Sequence, residues 1–189
     1  ARKGEGTHLS AGLESAGVPT IGRLVGDATA DAGDMYWMDE DTVAIGRSYR
    51  TNQDAVDQVR GILAADGVKV EVFDLPHDLG PEYCLHLMST VSPVREDLAV
   101  VYEKLAPVAM LQSLARRGIE WVVVDDEEYV TLGCNILAVR PGVVVMGERN
   151  VRTADKLREK GVEVHTFVSE QSDKGEGGPT CMTRPILRG

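Results

Sequence analysis

The residues of this chain best suited to chemistry are a thiol, an imidazole, a pair of carboxylates and one arginine. The thiol is Cys181, in the segment Gly177-Gly178-Pro179-Thr180-Cys181-Met182-Thr183-Arg184-Pro185. Glycines permit close backbone approach and Pro179 cannot continue a helix, so the segment reads as a loop that presents a cysteine. A lone cysteine is commonly inert core filler, and the loop by itself does not separate filler from nucleophile. The imidazole is His86, in Cys84-Leu85-His86-Leu87-Met88, which reads as a strand. A histidine between leucines is also what a satisfied core histidine looks like. The carboxylates are Asp31 and Asp34 of Asp31-Ala32-Gly33-Asp34, either an acidic turn or a loop presenting charge to a cleft. Thiol, imidazole and carboxylate are the parts of a nucleophile, a general base and the acid that orients it. Arg50, in Gly46-Arg47-Ser48-Tyr49-Arg50-Thr51-Asn52, stands just before a helix start, and its planar fork suits a substrate carboxylate.

Other chemistry finds less support. His8, His77 and His165 have no partner pattern. Cys84 and His86 lack the second pair that zinc-ligand spacing needs. Gly175 to Gly178 lacks the Lys-Ser/Thr that follows a phosphate loop.

The elements that must position these groups recur along the chain. Four times a helix-like segment ends at a glycine followed by a strand-like run: Gly17-Val18-Pro19-Thr20, Gly67-Val68-Lys69-Val70, Gly118-Ile119-Glu120-Trp121 and Gly161-Val162-Glu163-Val164. Glycine just past a helix is the expected left-handed terminator, and alternating Val/Ile after it reads as a strand. The four glycines are 50, 51 and 43 residues apart. A strand at Thr42–Ile45 leads through Arg50-Thr51 into a helix near Gln53–Ala65. A strand at Val143–Met146 leads through Arg152-Thr153 into a helix near Ala154–Lys160. Thr51 and Thr153 are the expected N-caps. Each unit thus reads strand–strand–helix–strand, a repeat rather than a generic α/β sheet. Between the second and third glycines the expectation is a helical stretch from Val94 to Arg117, broken in two at Pro107.

At 189 residues the chain can bury the core of one domain. A formal net charge of −10 disfavours nucleic acid, whose phosphates it would repel, and favours a small cationic ligand. No apolar run approaches a membrane span, so no membrane partner is expected. Three cysteines cannot all pair, which points to a reduced, cytoplasmic setting. The start at Ala1 rather than methionine suggests a fragment or processed form.

In combination these motifs resemble the guanidino-group-modifying enzymes, the superfamily of arginine deiminase, dimethylarginine dimethylaminohydrolase and amidinotransferase. The resemblance rests on five motifs in order: Asp31 to Asp34, Gly46 to Asn52, Leu85-His86-Leu87, Gly133-Cys134-Asn135 and Gly177 to Pro185. It implies the pentein fold, an α/β propeller of five strand–strand–helix–strand units with substrate at the centre. Four units are counted, so the expectation is a single domain over 1–189 lacking its N-terminal unit. A preceding segment, a partner chain or a homo-oligomer would complete it. The resemblance makes Cys181 the nucleophile, His86 the general acid/base and Asp31 the carboxylate that orients it. Arg50 would hold the substrate α-carboxylate, and Asp34 is the second acid of the substrate-binding loop. Arg2 aligns with a further carboxylate-binding arginine.

The departures carry information. Met88 stands where deiminases and amidinotransferases carry the acid of His-x-Asp, which looks more like the dimethylarginine hydrolases. The Cys-Met-Thr-Arg-Pro end looks closer to the deiminases. The implied activity is a cysteine-dependent hydrolase of arginine or N-methylated arginine that gives citrulline and an amine through a covalent thiouronium. It needs no metal and no organic cofactor. The alternatives are an arginine deiminase, an amidinotransferase, or a pentein-fold binding protein with no chemistry.

Overall fold

A computed structural model describes residues 4–183. The expectations for Arg2, Arg184 and Pro185 lie outside the described residues. The elements run α1 (Glu5–Ser15), β1 (Met35–Asp39), β2 (Thr42–Arg47), α2 (Gln53–Leu63), β3 (Lys69–Asp74), α3 (Leu87–Thr90), β4 (Val91–Arg95) and β5 (Leu98–Val101). They continue α4 (Val108–Arg116), β6 (Glu120–Val123), α5 (Asp126–Tyr129), β7 (Leu137–Arg140), β8 (Val143–Gly147), α6 (Val151–Glu159), β9 (Glu163–Phe167) and α7 (Glu170–Asp173).

The strands form three three-stranded sheets, β1-β2-β3, β4-β5-β6 and β7-β8-β9. In each, the first two strands make an antiparallel hairpin and the third returns parallel to the second after a helix. Even the irregularities repeat: the hairpins shift register at Trp37/Asp39, Pro93/Arg95 and Ala138/Arg140. A shared bulge at the same place in three hairpins marks one structural unit used three times. The helix ends repeat as well. Gly17, Gly67, Gly118 and Gly161 have φ of 83°, 72°, 70° and 76°. Each is followed by a residue whose N–H reaches back to a leucine carbonyl: Val18 to Leu13, Val68 to Leu63, Ile119 to Leu114 and Val162 to Leu157. A side chain at those glycines would strain the left-handed turn that reverses the chain.

The first of the four repeats keeps the helix and its glycine but not the strand. The other three third strands pair with a hairpin lying before their helix. Among the described residues no strand pairs with Val18–Thr20. Helix α1 buries none of its residues.

Residues 94–101, expected to be helical, form part of the second hairpin. Its valines at 91, 94, 100 and 101, all buried, suit a sheet. Pro107 is the N-cap of α4 rather than a break inside a helix. The capping expectation is also corrected. Asn52 caps α2 by accepting from the Ala55 N–H at 3.0 Å. Thr51 instead donates its hydroxyl to the Asp34 carboxylate at 2.7 Å, and Thr153, inside α6, donates to Glu128 at 2.6 Å. A buried carboxylate is the stronger acceptor, and it lies far from both threonines in sequence.

The core sits between neighbouring sheets. Tyr36, Ala44, Phe73, Leu87, Val91, Val101, Met110 and Leu114 join the first sheet to the second. Val94, Val100, Val122, Ile136, Met146 and Leu157 join the second to the third. At the end of α4, Arg117 pairs with Asp39 and, at 2.6 Å, with Glu71, which ties the second unit back to the first.

Candidate active site

The segments that carry the chemistry enter the first strand of each unit or leave a later one. Asp31 precedes β1, His86 precedes β4 and Asn135 precedes β7, while Arg50 follows β2 and Cys181 follows β9. His86 is not in a strand. It is extended, with φ −102° and ψ 161°, at the N-cap of α3, and its N–H donates to the Ser89 hydroxyl at 3.1 Å. That turn fixes its backbone and aims the ring at the Asp31 loop.

His86 Nε2 lies 3.1 Å from Asp31 Oδ2, and only 18% of the histidine side chain is exposed. An imidazole held this way presents one nitrogen to the carboxylate and keeps a set orientation. The contact is close because residue 33 is glycine. A Cβ there would overlap the His86 ring at Nδ1, Cγ and Cε1. Cys84 also reaches the ring, its sulfur 3.4 Å from Nε2 and 3.7 Å from Nδ1.

Asp34, expected to face substrate, is fully buried. Its carboxylate accepts from the Ser48 hydroxyl at 2.7 Å, the Thr51 hydroxyl at 2.7 Å and the Leu87 N–H at 2.9 Å. Ser48 in turn accepts from the Arg50 N–H at 3.0 Å. One buried anion therefore joins the loops bearing Asp31, Arg50 and His86. Burying a charge is costly unless every lone pair is used, and here the fold supplies three donors. Gly46 makes room, because a Cβ at that position would lie 2.8 Å from Leu87 Cβ. The third unit uses the same device: buried Glu128 accepts from the N–H groups of Arg152 and Thr153 and from the Thr153 hydroxyl.

Cys181 is exposed, while Cys134 is fully buried and its thiol is pushed up to about 12 by that burial. Cys134 is thus a core residue. The Cys181 sulfur accepts from the Asn135 side-chain amide at 2.9 Å. The same Asn135 accepts from the Thr180 N–H at 3.0 Å, and the Thr180 hydroxyl donates to the Ile136 carbonyl at 2.9 Å. A side chain at residue 178 would occupy the place of Asn135. The Asn135 amide N–H donates to the sulfur and holds it in place, so Asn135→Ala is expected to slow iodoacetamide alkylation of Cys181 about tenfold. Peptide mapping measures this, and an unchanged rate would remove Asn135 from the site.

The two halves share one region. Burial raises the Cys84 thiol above its usual range, and the charges acting on it are those of Arg50, Asp31, Asp34 and Cys181. The Arg50 guanidinium is exposed and has no hydrogen-bond or ion-pair partner among the described residues. Met88 packs against the core between the first and second sheets. Among the described residues no group of three or more His, Cys, Asp and Glu is placed to hold a metal.

Sequence reasoning did not assign Asn135, Cys84, Ser48 or Thr51 to the site. Asn135 stood inside a quoted motif, and the glycine at 178 was the signal that something packs there. The hydroxyls of Ser48 and Thr51 carried no local sign that a carboxylate from another loop would reach them.

Comparison with known proteins places this geometry. Residues 113–188 match the family model for arginine deiminase. The chain is 29% identical to the arginine deiminase of Mycoplasma capricolum over 86% of its own length and 48% of the relative's. Over 72 residues it is 44% identical to the arginine deiminase of Listeria innocua. It therefore spans about half the length of the full relatives it matches. Dimethylarginine dimethylaminohydrolase from Pseudomonas aeruginosa, solved with citrulline, superposes with a TM-score of 0.76 at 22% identity, over 96% of this chain and 65% of that one. The N-terminal domain of ArgZ, a cyanobacterial arginine dihydrolase, gives 0.82 at 20% identity, over 99% and 67%. The repeated strand–strand–helix–strand units and these neighbours show one fold: the chain shares the pentein fold of dimethylarginine dimethylaminohydrolase and ArgZ, and its C-terminal part is similar to arginine deiminases.

Proposed function

We propose that this chain carries most of the active site of a cysteine-dependent hydrolase that converts arginine or an N-methylated arginine to citrulline. The observation that carries the reading is the His86–Asp31 pair, in one region with an exposed thiol that a side-chain amide holds in place. A guanidinium is a poor electrophile because its charge is delocalised, but its positive charge favours a nearby thiolate. Cys181 attacks the central carbon and forms a C–S bond. The C–N bond to the departing nitrogen then breaks, and His86 gives that nitrogen its proton. His86 next takes a proton from water, whose oxygen bonds to the same carbon. The C–S bond breaks and releases citrulline and the thiolate. Asp31 holds the imidazole through both steps, and Asp34 acts through the loops it joins rather than on substrate. A structure of ArgZ covalently bonded to a reaction intermediate is consistent with covalent chemistry on this fold.

The ring-completing unit is part of this proposal. Helix α1, with nothing buried beneath it, is the helix of a fourth unit whose hairpin must come from a preceding segment or another copy. The acids that grip the guanidinium belong to that completed ring, since Met88 is apolar and Asp34 is enclosed. Three free thiols fit a reducing, cytoplasmic setting.

Arg50 gives the sharpest test of substrate class. Loss of a charge-assisted contact to the α-carboxylate should raise KM for arginine about 10–100-fold in Arg50→Ala, with little change for methylguanidine. Steady-state kinetics on both compounds checks this. An equal change for the two would reject a carboxylate-bearing substrate.

A further inference from the structure

Cys84 has no role in the chemistry above, yet among the described residues it is, with Asp31, a side chain that contacts the His86 ring nitrogens. Its sulfur lies 3.4 Å from Nε2 and 3.7 Å from Nδ1. It is half-buried, on the short loop that ends at the α3 N-cap. Two further residues beside the ring are fixed in size. Asp31 is committed to Nε2, and Gly33 has no side chain and no room for one. Cys84 is partly exposed, with its thiol beside the His86 ring, and Arg50, Asp31, Asp34 and Cys181 are the groups whose charges act on it. Burial keeps that thiol protonated and poorly nucleophilic, which leaves its bulk as its contribution.

We propose that Cys84 bounds the space for the departing amine, so that the size of residue 84 sets which N-substituents the site accepts. The inference rests on the reading that His86 protonates that amine. A nitrogen that takes its proton from His86 must reach a ring whose side chain is 18% exposed, and the Cys84 sulfur stands against both nitrogens of that ring. A small polarizable thiol leaves room for methyl groups on that nitrogen. A branched side chain would fill the same space.

The test uses covalent labelling, which needs no turnover. The probes are 2-chloroacetamidine and its N,N-dimethyl derivative. In each reaction the Cys181 thiolate displaces chloride, one C–S bond forming as one C–Cl bond breaks. The readout is the ratio of the two Cys181 labelling rates, dimethyl over unsubstituted, by peptide mapping. Cys84→Leu is expected to lower this ratio about tenfold or more, because a pocket lacking room for one or two methyl groups discriminates on that scale. Cys84→Ala is expected to raise it several-fold, and this variant alone decides the matter if the leucine variant does not fold. A ratio that stays within about twofold of the wild type in the folded variants overturns the inference while leaving Cys181 as nucleophile. If Cys181 of the wild type labels no faster than Cys84 and Cys134, the catalytic reading itself fails and the inference falls with it.

Discussion

Cys181→Ser is expected to form no detectable citrulline from arginine or dimethylarginine, at least about 10⁴-fold below the wild type, while unfolding at the same temperature. The size of the loss follows from the chemistry. A serine hydroxyl at neutral pH supplies almost no alkoxide, and no alternative nucleophile occupies the site. Cys84 is held protonated by burial, and Cys134 is pushed up to about 12 in the core. The unchanged stability follows from position, since Cys181 is exposed and substitutions at such sites shift stability by about 0.5 kcal/mol or less. Product analysis beside a thermal melt measures both. Citrulline formation within about tenfold of the wild type would remove Cys181 from the mechanism.

Asp34→Ala is expected to be the most destabilising substitution in the site, costing about 3–5 kcal/mol, because it leaves buried donors without their charged partner. The carboxylate accepts three hydrogen bonds, and removal strands the Leu87 N–H and the Ser48 and Thr51 hydroxyls. The consequence extends past stability. Those donors belong to the loops that place Arg50 and His86, and Asp34 itself ends the loop that begins at Asp31. Asp34→Asn keeps the shape but turns an NH₂ group toward donors, so it should recover only part of the loss. Urea denaturation reads these differences. A change below about 1 kcal/mol for Asp34→Ala would show that the three bonds do not hold the loops together.

The repeat was legible because its signals are local. Gly17, Gly67, Gly118 and Gly161 each end a helix by a backbone turn that L side chains resist, and all four adopt it. The third strands after Gly67, Gly118 and Gly161 followed from β-branched alternation. The second hairpin was misread because its second strand, Leu98-Ala99-Val100-Val101, is a short apolar run, and periodicity cannot separate a buried strand from a buried helix there. The strand after Gly17 was misread for another reason. A strand exists only with a partner to pair with, and pairing is invisible in a local pattern. At the site, residue types and their order brought out Cys181, His86, Asp31 and Arg50. Which acid is enclosed and which stays partly exposed was not legible. Asp31 and Asp34 differ by three positions and look alike in sequence. Contacts from Ser48, Thr51 and Leu87, 14 to 53 residues away, bury one and leave the other partly exposed.

The measurement that bears most directly on the account is the mass of the Cys181 peptide after rapid acid quench of protein turning over arginine or dimethylarginine. It would be made on this chain and on a form with the ring completed. The account predicts a thiouronium adduct on Cys181, absent from Cys181→Ser, and in His86→Ala any adduct that forms, slowly for want of a proton donor, is not resolved because water is no longer activated. Citrulline formed with no adduct on Cys181 in any of these proteins, or an adduct confined to another residue, would contradict it.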